Sequence, residues 1–156
     1  MADYIFEWRA WIGRARPEVF AFFAEPRNLA RITPPWLGFQ LVGEPATMAA
    51  GAIIDYRLRW LGLPVRWRTF IREWDPPARF FDVQVRGPYA RWEHRHMFLE
   101  ERDGTWIEDR VTYRLPFGPL GRLVHAALVG RQLAAIWRYR SERIGELLGP
   151  LKPEAG

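Results

Sequence analysis

His94 and His96, two residues apart in Trp92-Glu93-His94-Arg95-His96-Met97-Phe98, are the side chains best suited to proton chemistry in this sequence. Imidazole titrates near neutrality, and a neighbouring carboxylate fixes its tautomer. Such a carboxylate follows after a short turn, in Ile107-Glu108-Asp109-Arg110-Val111-Thr112-Tyr113. Alternate residues of a strand share a face, so Trp92, His94, His96 and Phe98 point one way. If Arg102-Asp103 forms the hairpin tip, His96 lies opposite Asp109; if Asp103-Gly104 forms it, His94 lies opposite Tyr113. A three-residue loop would flip the pairing. Both two-residue registers gather His94, His96, Asp109 and Tyr113 on one face, where they could hold a ligand carbonyl or hydroxyl, or serve as acid and base. The same groups could equally form a polar ladder satisfied by its own members.

These residues need a scaffold, and the order of elements is readable. Residues 4–13 alternate as a strand. A helix starts at Pro17, where proline suits the first turn, and stops before Pro26; a second short helix covers residues 28–32. Six strands follow at residues 39–43, 52–61, 65–74, 79–86, 90–101 and 105–115, divided by Gly- and Pro-containing turns. Residues 120–148 carry helical spacing through Leu133, Ile136, Trp137, Arg140, Ile144 and Leu147, and Gly149-Pro150 ends the helix. The expected fold is α+β: a seven-stranded curved antiparallel sheet wrapped around a long C-terminal helix, with two short helices after the first strand. One domain over residues 1–149 is expected, with residues 150–156 a loose tail.

Composition removes several functions. Without cysteine there is no disulfide, no thiol nucleophile and no cysteine metal site, in keeping with a cytoplasmic protein. Ser141 is the sole serine and lies in a polar run of the last helix, and Lys152 is the sole lysine, so serine hydrolase and Schiff-base chemistry are disfavoured. No glycine-rich phosphate loop, signal peptide or apolar run long enough to span a membrane is visible. The net charge of +5 rests almost wholly on arginine. Arg57, Arg59, Arg66 and Arg68 share one face of a hairpin opposite Tyr56, Leu58, Trp60, Val65 and Trp67. Interleaved acids make that face a solvated outer surface, and no nucleic-acid partner is expected. The aromatic content, nine Trp, ten Phe and five Tyr, suits both a core and a cavity wall.

The β-α-α-β6-α order, Pro17-Glu18-Val19-Phe20-Ala21-Phe22-Phe23 with Asn28-Leu29, and Leu115-Pro116-Phe117-Gly118 before the last helix together resemble the SRPBCC superfamily. These are the START and Bet v 1-like helix-grip proteins, which include polyketide cyclases and dehydrases. The likeness covers residues 3 to about 148. Thr33-Pro34-Pro35-Trp36, Trp92-Glu93-His94-Arg95-His96 and Asp109-Arg110-Val111-Thr112-Tyr113 are similar to segments of stand-alone bacterial ligand-binding members. The resemblance implies a cavity beneath the long helix for a small hydrophobic or amphipathic molecule such as a lipid, isoprenoid or polyketide. Tyr56, Leu58, Trp67, Trp92, Phe98, Val111 and Ile136 are its expected apolar walls, and His94, His96, Asp109 and Tyr113 its polar groups. The alternative is a cyclase or dehydratase using those four as acid and base. His-x-His with a nearby Asp would also offer ligands to zinc or iron, with His125 as a fourth if the helix turns it inward. Since the family does not generally carry metal, neither metal nor cofactor is expected. A monomer or weak homodimer without stable membrane insertion completes the expectation.

Overall fold

Type I′ hairpin turns set the register of the sheet. At Arg102-Asp103 both residues have positive φ, 52° and 59°, which matches the twist of the flanking strands. This turn joins β6 (Arg91–Glu101) to β7 (Gly104–Arg114) and pairs His96 with Asp109, the first of the two expected registers. Gly104 is obligatory beside it, because a Cβ there would overlap the Trp11 ring and the Ile12 carbonyl oxygen. Leu61-Gly62 turns in the same way between β3 (Ile53–Trp60) and β4 (Leu63–Asp75).

The computed structural model describes residues 2–153. After β1 (Tyr4–Ile12) come α1 (Arg16–Phe23) and α2 (Pro26–Arg31), then a single 3₁₀ turn, the two-residue β2 (Gln40–Leu41), β3, β4, β5 (Arg79–Arg86), β6 and β7. The expected single last helix is composite: α3 (Gly118–Val124), a π-helical turn (His125–Val129) and α4 (Gly130–Leu148). Among the described residues the sheet has eight strands, not seven, in the order β2-β3-β4-β5-β6-β7-β1-β8. The extra strand is β8 (Leu151–Pro153), expected as tail; it turns back after Gly149 and pairs with Ala10–Ile12. Residues 154–156 of that expected tail lie outside the described residues.

The inner sheet face and the C-terminal helix supply the core. On β7, Thr105, Ile107, Asp109, Val111 and Tyr113 are all buried, and on β6 His94, His96 and Phe98, while the alternate positions face outward. Leu133, Trp137, Arg140, Ile144 and Leu148 form the buried stripe of α4 that lies over this face. Arg57, Arg59, Arg66 and Arg68 are exposed, as the strand alternation requires. Among the described residues no helix is long and apolar enough to cross a membrane.

Candidate functional site

A cavity of about 170 Å³ lies between the sheet and α4. Strands β3, β4 and β6 contribute Tyr56, Leu58, Trp67 and Trp92, and α4 contributes Ile136. Phe22, Leu29 and Ile32, from the short helices and just after α2, close one side. His94 and His96 are in the wall, so seven of the eleven expected residues line the space. The other four do not. Phe98 is fully buried in the packed core under α1, Val111 lies beneath Trp137, and Asp109 sits behind the histidines.

Asp109 organises the polar wall. It is 2% exposed, and one oxygen accepts from His94 Nε2 at 3.0 Å while the other accepts from Trp137 Nε1 at 2.9 Å. His96 Nδ1 lies 3.1 Å from the first oxygen without hydrogen-bond alignment, and its Nε2 donates to Asp82 at 2.7 Å. The His94 and His96 rings are 3.7 Å apart, and Phe80 stacks on His96 at 4.0 Å. Asp82, reached through the β5–β6 pairing that sets it opposite His94, was missed by the sequence reading, as was Arg140. Arg140 is 7% exposed, lines the cavity and brings Nη1 to 3.7 Å from Asp109.

The two imidazoles are driven apart in charge. Burial lowers the pKa of His94, and the charge on His96 beside it lowers it further, leaving His94 neutral at pH 7. Burial also works against the protonated form of His96, but Asp109 and Asp82 on either side outweigh it and raise its pKa. Burial opposes ionisation of Asp109, yet the two histidines hold it well below the usual carboxylate range. The wall is thus a chain from Asp82 through His96 to Asp109, in which the protonated form of His96 is favoured and that of His94 disfavoured.

Tyr113 does not join this chain, which corrects the expected four-residue cluster. In the observed register it pairs with Trp92, and its hydroxyl bonds His125 Nε2 at 2.7 Å. Tyr4 stacks on His125 at 3.6 Å. Burial raises the Tyr113 pKa to about 12. The π turn carries His125 to this separate site, so it is not a fourth ligand beside His94 and His96. Donor atoms of Asp82, His94 and His96 lie within 4.8 Å of one another. The Asp82–His96 contact has hydrogen-bond length, shorter than the roughly 3.3 Å between two ligands on one tetrahedral zinc ion.

Among the solved structures that resemble this one are three from different organisms. Protein CV1439 from Chromobacterium violaceum superposes with a TM-score of 0.72 at 12% identity, over 94% of this chain and 97% of the other. TTHA0849 from Thermus thermophilus gives 0.66 at 20% identity, over 93% and 99%. A norcoclaurine synthase point mutant from Thalictrum, in complex with a transition-state analogue, gives 0.66 at 13% identity, over 94% and 96%. At such identities the likeness is one of fold. No curated protein matches the sequence. The family model described as polyketide cyclase / dehydrase and lipid transport matches residues 12–136, and the chain belongs to that SRPBCC-type family.

Proposed function

We propose that this protein binds a small hydrophobic or amphipathic molecule in the cavity between the sheet and α4. The observation that carries the reading is the composition of the cavity wall: stacked aromatic and aliphatic side chains with a few convergent polar groups at one place. Flat Tyr and Trp rings provide large apolar area to a ligand at little cost in side-chain entropy. Membership of a family whose description includes lipid transport supports it. A cytoplasmic location is proposed with it, since a chain without cysteine is compatible with a reducing compartment. Native mass spectrometry of gently purified protein tests it. A stoichiometric adduct, released and identified on denaturation, is the expected result; protein that neither carries nor takes up any apolar compound would sink the reading.

One observation favours a second reading, a cyclase or dehydratase. His94 lines the cavity and donates its Nε2–H to the Asp109 carboxylate in a hydrogen bond, an arrangement that leaves the other ring nitrogen as an acceptor. In that case His94→Ala abolishes turnover of an enolisable substrate while sparing its uptake. Loss of uptake and turnover together would assign His94 to binding.

A further inference from the structure

Arg140 is a cation placed where the helix needs an apolar side chain. It occupies the buried stripe of α4 between Trp137 and Ile144. Taking a guanidinium out of water is costly unless its donors are used. Here Nε and Nη1 are both buried and neither has a hydrogen-bond partner. The nearby Asp109 carboxylate does not supply one, since Nη1 stands off at 3.7 Å, beyond hydrogen-bond length. The ring of Trp137, 4.9 Å from the guanidinium carbon, braces one side of the group. Arg140 is among the residues that line the cavity.

A residue of the cavity wall thus holds two buried donors without an acceptor. We propose that the ligand is an amphipathic monocarboxylic acid, its carboxylate on Arg140 and its apolar body along Ile136, Tyr56, Leu58 and Trp67. This rests on the ligand-binding reading above and names the ligand's chemical class. A carboxylate matches the planar guanidinium fork. A single negative charge is preferred to a phosphate dianion because Asp82 in the cavity wall and Asp109 behind the histidines repel a second charge. Ile136 lies one helical turn from Arg140, so a chain leaving the carboxylate runs along α4 between helix and sheet.

The test uses the neutral fluorophore N-phenylnaphthylamine as a cavity reporter, displaced near neutral pH by decanoic acid, methyl decanoate or decanol. Ester and alcohol keep the chain and remove the charge. The acid should displace the reporter from the wild-type protein at concentrations about ten- to hundredfold lower than either neutral analogue, the worth of one charge-assisted hydrogen-bonded contact. Arg140→Met should erase that preference while retaining the ester, and Arg140→Lys should keep part of it. Equal potency of acid and ester overturns the proposal and leaves the hydrophobic cavity standing, as does a preference that survives Arg140→Met. A reporter that never enters overturns the ligand-binding reading as well. The wild-type comparison and the lysine variant decide the matter even if Arg140→Met does not fold.

Discussion

The two ends of α4 meet the same sheet in opposite ways. Its last turns, with Ile144 and Leu148, interlock with Ile12, Val19, Phe20, Phe98 and Ile107 into a sealed aliphatic and phenylalanine core. Its first turns, with Leu133 and Trp137, meet Trp67, Tyr89, Val111 and Tyr113, and half-buried Tyr56, Leu58, Trp92 and Ile136 surround them. Branched aliphatic side chains fill space at close to crystal density. Broad rings with polar edges leave gaps between their planes and bring N–H and O–H groups that need partners. The difference separates stability from binding along one helix, with the histidine–aspartate chain and Arg140 at the seam.

Substitutions at each end should break that comparison differently. Phe98→Ala removes a fully buried ring from the sealed end and should cost about 3–5 kcal/mol in chemical denaturation. N-phenylnaphthylamine affinity should be unchanged in the folded fraction; a parallel loss of affinity would mean the two ends are one unit. At the seam, Asp109→Asn leaves His96 and Arg140 facing a neutral amide and should cost about 3–5 kcal/mol, the usual result of removing one partner of a buried ion pair. A cost below about 1 kcal/mol would show that Asp82 alone balances the two cations.

At the cavity end, Ile136→Ala removes a half-buried wall and should cost roughly 1 kcal/mol of stability. Reporter affinity should fall several-fold, in contrast to Phe98→Ala. Tyr113→Phe loses the hydrogen bond to His125 for about 0.5–1.5 kcal/mol and leaves ligand uptake unaltered. A marked loss of uptake would return Tyr113 to the binding site.

The pH dependence sharpens the picture of the seam. His96 has a raised folded pKa, so its contribution is complete below the unfolded value of about 6.5 and is lost as pH rises through the folded value. His94, and His125 through burial, have lowered folded values, so theirs is present above about 6.5 and lost as pH falls. Stability should therefore peak near pH 6.5, and His96→Gln should remove the decline on the alkaline side. A wild-type curve flat from about pH 6.5 to pH 9 would contradict a raised pKa for His96.

What was legible in the sequence follows from how local each signal is. Glu101-Arg102-Asp103-Gly104 marks a tight turn with two possible two-residue tips, and for the one that forms, Arg102-Asp103, strand alternation alone carries His96 to Asp109. Asp82 was not legible, because its approach depends on the β5–β6 register across a longer turn through Gly87-Pro88. Arg140 sat in plain view within the helical spacing, and the signal passed over was a charge at a core position. Tyr113 and His125 could not be matched, since an extra residue in the π turn breaks the regular helical count. β8 follows a Gly-Pro stop and is three residues long, too short for periodicity to register.

That last short strand bears on how the molecule behaves in a crowd. An open sheet has two rims, and a long bare rim offers its backbone to any passing extended segment. Here the rims are β2, of two residues, and β8, of three. By lying along Ala10–Ile12, β8 replaces part of the nine-residue border of β1 with a ladder too short to template cross-β growth. Rim-to-rim polymerisation is blunted by the segment that a reading for catalysis would discard.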